Sequence, residues 1–536
     1  MRATTSTTRP FLGGWWLLVP LVALALARGF WAPDEPRYGQ IAKECWDRGE
    51  WLVLHICGDI YPDKPPLVYW LSGLCGWLTG WWEPAMRLPS LLATLVSALL
   101  LRRMARRLFG DAAADWVAPL YLGTGMLLEI GGRLQLDPLM SVLILWAIER
   151  LSVPARPPAA RAGASGLALG LAALAKGPVA WLHGGLALLA QHIAQPAGRR
   201  TGLRARDWIV VVLLAVAPVA AWAVLASLAE PLLAQHLFFG QHLGRISTEA
   251  PHQGPPWEHL LEMPLLLLPT TPFVAMALAR AWRTRREDSD AARNLRFVAL
   301  WLVLTLVVFS AIPAKRALYL LPVYPAAALL AADELAWRAA SGAWRRWMVR
   351  APAIILLLIA FALAMAGIGA NLPEVLERQP SLGQLAPYTA AAAAIAALVG
   401  SFGWLAWRRA GEARGVDHLV HASGGALWCA ALLVAPSLDE VKCARELALE
   451  VAALPQKPAW IPTRGVQPEG YRFYGGVPTT RSGDIAGALE QHGALFLALV
   501  EERDHAKLDP ALKARTVELL RRQVGAREIL VLGARP

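Results

Sequence analysis

Long apolar runs alternate along this chain with short clusters of arginine and proline. A helix needs roughly 20 mostly apolar residues to cross about 30 Å of hydrocarbon, and such runs recur from Phe11–Phe30 to about Pro436. Between them lie six arginine clusters: 102–107, 150–161, 199–206, 280–286, 338–350 and 408–414. If all six are cytoplasmic, as the positive-inside rule requires, each neighbouring pair is separated by two spans and an outer turn. The outer turns then fall around Arg133 to Asp137, Lys176 to Pro178, Glu230 to Glu258, Pro313 to Arg316 and Asn371 to Gln384. The run PPLVYWLSGLCGWLTGWW, Pro65 to Trp82, cannot be a full span without moving the first arginine cluster outside. It reads as an interfacial or re-entrant outer helix, with the true second span at about Met86 to Leu101.

These elements predict an α-helical polytopic membrane protein of about 13 transmembrane helices, with its amino terminus inside and its carboxyl terminus outside. After Pro436 charged residues rise. Short β-like runs, GALFLALV and EILVLGA, alternate with helical ones, DIAGALEQH and DPALKARTVELLRRQV. The expected division is a transmembrane domain, 1–436, with an outer first loop at 31–85, and a small outer α/β domain, 437–536. No internal repeat is visible, which argues against a transporter built from paired halves.

Composition agrees: of 536 residues, 56% are hydrophobic. The formal net charge of +12 would suggest nucleic acid in a soluble domain, but the excess arginine flanks apolar runs and so reports topology. Nucleic acid is not an expected partner. Five cysteines, Cys45, Cys57, Cys75, Cys429 and Cys443, have no metal-ligand spacing and imply no disulfide framework, a Cys45–Cys57 bridge being the one pairing open. The first apolar run is long for a signal peptide and reads as an uncleaved span.

The informative residues are charges on the outer side, where Lys and Arg are disfavoured. The first loop opens with Asp34, Glu35, Arg37 and Tyr38 and continues with Asp59, Tyr61, Asp63 and Lys64. Further on come Arg133 and Asp137, Lys176, the stretch His236 to Arg245, and Lys315 with Arg316. Each has a plain alternative. Asp34 before Pro36 and Asp137 before Pro138 suit helix starts, Lys64 suits an interfacial anchor, and Lys176 and Lys315 suit solvated turns. Glu129 and Glu149, near span ends, read as structural. As a set, carboxylates and cations at one membrane face suit a reaction on a substrate whose tail stays in lipid. Breaking a sugar–phosphate bond needs cations for the departing phosphate and a carboxylate for the incoming group. Lys64, Arg245, Lys315 and Arg316 supply the first, Asp34 and Asp137 the second.

Five motifs, DEPRY after the first span, DKP before a Tyr-Trp helix, RLQLDP, AKGP and AKRALYLLPVYP, together resemble the C-type glycosyltransferases that use polyprenyl-phosphate sugars. Within that protein mannosyltransferase superfamily the likeness is nearest to the bacterial transferases that place aminoarabinose on lipid A. The resemblance implies the C-type glycosyltransferase fold, an inner-membrane location with a periplasmic active site, an undecaprenyl-phosphate sugar donor, and lipid A or another periplasmic acceptor. It implies that Asp34 is the catalytic acidic residue and Asp137 a second active-site carboxylate. Lys64, with Tyr61 near it, would contact the prenyl phosphate together with Arg245; Lys315 and Tyr319 match the late motif. Arg37, Glu35, Asp63 and Lys176 complete the substrate-binding set. Asp63 stands where the family often has Glu. No cofactor is required by this reading, a divalent cation near Asp63, His236 or His242 being the open alternative. A protein O-glycosyltransferase and a lipid-linked sugar transporter are the rival functions.

Overall fold

The computed structural model describes residues 11–152, 157–195, 202–231, 233, 253–344 and 412–535 save 526, with scattered positions between 345 and 411. Arg245, His236 and His242 lie outside the described residues.

Among these, five helices are long and apolar enough to cross a membrane: Leu88–Phe109, Ala205–Ala229, Asp290–Ala311, Ala317–Ser341 and Val416–Pro436. A sixth span results if Glu258–Leu266 and Thr271–Arg283, bent by 117° at their junction, count as one. The first of these begins at Leu88, near the start expected for the second span, and runs on through the first arginine cluster. The tryptophan-rich run folds as Leu67–Leu78, 12 residues, which at 1.5 Å per residue reaches only about 18 Å. It is too short to cross.

Two compact units result, one of residues 1–24, 90–225 and 234–434, the other of 25–89, 226–233 and 435–536. The first loop, 31–85, falls in the same unit as the carboxyl-terminal segment.

In the first unit, helices approach closely through small residues. Gly166 and Gly170, spaced four apart on the Pro158–Lys176 helix, face the Ala205–Ala229 helix. A Cβ on Gly170 would lie 2.3 Å from the Leu214 carbonyl oxygen, and one on Gly166 2.7 Å from that of Val211. Only glycine admits such backbone contact, the usual device of helix packing in lipid.

In the second unit the helix Asp34–Arg48 starts with two acidic residues and Pro36, and stops at Gly49 in the left-handed region, φ 68°. The position before it is Pro33, and no side chain caps its amino end. A two-stranded hairpin follows, pairing His55 with Ile60 and Ile56 with Asp59 through a turn in which Cys57 (φ 54°) and Gly58 (φ 94°) are both left-handed. Glu44 steadies that turn by accepting from the backbone N–H groups of Cys57 (2.8 Å) and Gly58 (3.1 Å).

The carboxyl-terminal segment is a five-stranded sheet in the order Thr479–Thr480, Ile461–Arg464, Leu497–Glu501, Arg527–Ala534, Thr516–Val524, parallel across its first three strands and antiparallel across the rest. Two apolar layers cover it, one around Leu447, Tyr471 and Val531, the other around Ile485, Phe496 and Leu530. Both expected strands and the Ile485–His492 helix are present. DPALKARTVELLRRQV departs from its helical expectation, forming helix only over Pro510–Ala514 and then a strand over Thr516–Val524. A bulge between Glu518 and Leu520 breaks the two-residue alternation. That leaves Val517, Leu520 and Val524 at a spacing that imitates a helix face.

Candidate active site

In the second unit the carboxylates of the DEPRY motif divide sharply. Glu35 is 1% exposed, and both its oxygens are engaged. Arg28 pairs with it, Arg87 Nε donates to Oε1 at 2.9 Å, and the Trp31 N–H donates to Oε2 at 3.1 Å. Arg87, fully buried, also donates to the carbonyls of Ala25 (2.8 Å), Arg28 (2.9 Å) and Gly29 (2.7 Å). Burial alone would raise the Glu35 pKa; the charges of Arg28 and Arg87, with their hydrogen bonds, overcome it and hold the carboxyl well below the ordinary range. Sequence reasoning assigned Glu35 to substrate. The structure instead gives it the work of fixing the loop that carries Asp34.

Arg28 and Arg87 were missed. Their signal was available, since each is a lone arginine at the end of an apolar run that the arginine clusters would turn outward, where the positive-inside rule disfavours one.

Asp34, on the same turn, is 7% exposed and stands among the groups expected to bind substrate. Its charge and that of Arg37 act on Tyr61, as does the charge of Asp63, so these four are near neighbours. Burial first, and then the Asp63 carboxylate, push the Tyr61 phenol up, so it stays protonated and can donate. Tyr69 holds Tyr61 and Tyr38 edge-on, ring centres 6.1 and 5.9 Å away. Arg37 Nε lies 3.8 Å from Glu469 of the carboxyl-terminal segment. The Lys64 ammonium donates to the Asp63 carbonyl at 3.0 Å and is half-buried.

The carboxyl-terminal segment grips this loop through its backbone. Asp439 Oδ1 accepts from the Gly29 N–H and Trp31 Nε1, both at 2.8 Å, and the Phe30 N–H donates to the Tyr474 hydroxyl at 2.7 Å. Arg445 pairs with Glu83. The element GYRFYGGVPTT supplies Tyr471 to the core and Tyr474 to this grip. Cys45 and Cys57 are free, as are the other three cysteines, so the bridge left open does not form. Burial pushes the Cys45 thiol up to about 12, leaving it unreactive.

In the first unit Asp137, at the start of the Leu136–Ser152 helix, is 1% exposed and ion-paired with Lys176. The Lys176 ammonium sits 4.9 Å over the Tyr319 ring, and His183 Nε2 lies 3.1 Å from the Tyr319 carbonyl oxygen. Three motifs, RLQLDP, AKGP and AKRALYLLP, therefore meet in one group. This excludes the solvated-turn alternative for Lys176. Lys315 is placed otherwise: its ammonium donates to the carbonyls of Phe309 (3.0 Å), Ser310 (2.8 Å) and Ile312, closing the end of the Asp290–Ala311 helix. All three of its N–H donors are used there, so its role is that of a helix cap. Among the described residues no group of three or more His, Cys, Asp or Glu side chains could hold a metal ion.

A family profile described as dolichyl-phosphate-mannose-protein mannosyltransferase matches residues 63–222. The undecaprenyl phosphate-α-4-amino-4-deoxy-L-arabinose arabinosyl transferase of Pectobacterium carotovorum is 30% identical over 65% of this chain and 63% of its own length. Arabinosyl transferase 2 of Pseudomonas fluorescens Pf-5 is 32% identical over 60% of this chain and 55% of its own. The chain thus matches less than two thirds of these relatives' length. Crystal structures of ArnT from Cupriavidus metallidurans, bound to undecaprenyl phosphate and in the apo state, superpose with TM-scores of 0.78 and 0.75 at 20% and 22% identity, over 97% of both chains in each case. The chain therefore has the membrane-embedded C-type glycosyltransferase fold, and the resemblance drawn from its motifs to the aminoarabinose transferases holds in both sequence and structure.

Proposed function

We propose that this chain is an inner-membrane glycosyltransferase that moves 4-amino-4-deoxy-L-arabinose from undecaprenyl phosphate to lipid A on the periplasmic side. The observation that carries the reading is the desolvated Asp137–Lys176 pair beside Tyr319, built from three motifs of a chain whose relatives are named as undecaprenyl phosphate-α-4-amino-4-deoxy-L-arabinose arabinosyl transferases. A charge pair withdrawn from water needs an offsetting purpose. Positioning a polar donor head at the membrane surface provides one.

Transfer proceeds by direct displacement at the anomeric carbon, with inversion. Lys64 and Arg245 hold the leaving phosphate, neutralising charge as the sugar–phosphate bond breaks. Tyr61 donates to the same head group. Asp34 orients the acceptor, and Asp137, steadied by Lys176, positions the sugar. A lipid A phosphate is already ionised and needs little help from a base. Glu35 is a positioning residue that acts through Asp34, and Arg37 and Asp63 set the field around it. Tyr319 supports Lys176 from below.

The test is a transfer assay in membranes with matched expression. Asp34→Asn and Lys64→Ala are each expected to lose at least about 100-fold in rate, and activity like wild type in both would overturn these roles. The profile match to protein mannosyltransferases over 63–222 favours a second reading, with protein Ser or Thr as acceptor. Mass spectrometry of lipid A and of periplasmic proteins from a deletion strain separates the two. Loss of aminoarabinose from lipid A alone supports the first.

A further inference from the structure

A second polar cluster lies in the first unit, where the short Gly125–Ile130 helix, the Glu258–Leu266 helix and the turn Ala317–Val323 converge. Glu258 and Glu262 share one face of their helix, and His259 and Glu262 are one turn apart, with His259 Nδ1 at 3.7 Å from Glu262 Oε2. Glu129 and Glu258 act electrostatically on Glu262, and Glu262 and Glu129 act on Tyr324, so the groups are neighbours. Gly254 permits the close packing here, for a Cβ would fall 1.7 Å from Glu258 Oε2 and 2.7 Å from Lys315 Cγ.

What marks this cluster is what its members lack. His259 is fully buried and neither ring nitrogen has a hydrogen-bond partner; Tyr324 is 1% exposed with its hydroxyl unbonded; Glu262 Oε2 is buried and unbonded. Folded proteins rarely leave buried polar atoms unmet, and four in one place point to a group that completes them. The charges say which sign that group carries. Glu129, Glu258 and Glu262 supply three negatives. Arg133, 3.8 Å from Glu129, and the capping ammonium of Lys315 beside Glu258 supply two positives. Among the described residues here the carboxylates outnumber the cations by one. That balance suits a cationic group better than an anion, and the described residues do not make a metal site. A primary ammonium, with three donors and one charge, next to ring hydroxyls for Tyr324 and His259, fits both the charge and the hydrogen-bonding capacity.

We propose that Glu262, with Glu129, Glu258, His259 and Tyr324, receives the ammonium of the donor's amino sugar and so selects an amino sugar over a neutral one. The inference rests on the reading that the chain transfers such a sugar, and it adds the residues that recognise the amine. Glu129, structural in the sequence reading, becomes part of a specificity site.

The experiment compares two synthetic donors in the transfer assay with full-length protein: undecaprenyl-phosphate 4-amino-4-deoxy-L-arabinose and undecaprenyl-phosphate L-arabinose, in which a hydroxyl replaces the amine. Wild type is expected to favour the amino donor in kcat/KM. Glu262→Gln, which keeps shape and removes charge, is expected to lower that preference by about 10- to 100-fold, the range for one charge-assisted hydrogen bond. Should that variant fail to fold, Tyr324→Phe reads the same ratio with a single hydroxyl removed. An equal loss on both donors, or an unchanged ratio, overturns the site. Wild type that uses both donors equally overturns the site and leaves the transferase reading standing. Wild type that transfers from neither overturns both.

Discussion

Glu35 is wholly buried, Glu262 keeps 40% of its side chain exposed while its Oε2 is tucked inside, and their surroundings are opposite. Around Glu35 every charge is met: two arginines and a backbone N–H engage the carboxylate, and the spare donors of Arg87 reach three carbonyls. Around Glu262 the neighbours include two more carboxylates, a histidine with both nitrogens idle and a tyrosine with an idle hydroxyl. A closed network holds a backbone in place. An open one waits for the group that completes it, and this difference is a better guide to function than burial or charge alone.

The largest expected effect follows from the closed side. Breaking a buried, hydrogen-bonded pair by removing one partner costs about 3–5 kcal/mol, so Arg87→Met is expected to abolish folded protein or lower its melting temperature steeply. The check is the monodisperse yield and the thermal midpoint in detergent; a midpoint like that of wild type would show that the clamp does not hold the loop. Asp34→Asn, one residue from Glu35, is expected to leave that midpoint within about 1 kcal/mol of wild type while transfer fails. If both variants lose stability equally, the contrast between the two neighbours is wrong.

Next in size is a pH effect. The Glu35 pKa is depressed in the folded protein, so the unfolded chain binds its proton first, at the ordinary value of about 4.5. The stabilisation is full above that value and is lost as pH falls from it toward the lower folded value. Unfolding midpoints measured downward from pH 6 are therefore expected to fall more steeply below about pH 4.5 for wild type than for Glu35→Gln, whose side chain does not titrate. Parallel curves would mean that Glu35 is not the group responsible.

Much of the layout was legible in the amino-acid pattern. Arginine clusters placed the turns at Arg133–Asp137, Lys176–Pro178 and Pro313–Arg316, and helices begin or end at each of them. The resemblance named Asp137, Lys176 and Tyr319 from separate motifs, and packing brings them together. What was hidden was each residue's account of hydrogen bonds. Nothing in DEPRY says that Glu35 is taken up by Arg28 and Arg87, because both arginines lie on other segments. Lys315 looked like a phosphate ligand for the same reason, its carbonyl partners being visible only once the Asp290–Ala311 helix ends beneath it. His259 and Glu262 sit in an unremarked PPWEHLLEMPLL. Their lack of partners is a property of three dimensions.

The smallest effect concerns Tyr319, where the open and closed kinds of contact meet. Its ring lies under the Lys176 ammonium, and its carbonyl faces His183, which stacks on Phe309 at 4.4 Å. A cation over an aromatic face contributes about 0.5–2 kcal/mol, and the face, not the hydroxyl, supplies the attraction. Tyr319→Phe keeps the face and is expected to change the transfer rate by less than about threefold, whereas Tyr319→Leu removes it and is expected to cost about 3- to 30-fold. The backbone contact to His183 survives in both, so the pair isolates the ring. If Tyr319→Phe instead loses as much as Tyr319→Leu, the hydroxyl is touching substrate, and Tyr319 moves from supporting Lys176 to binding the donor itself.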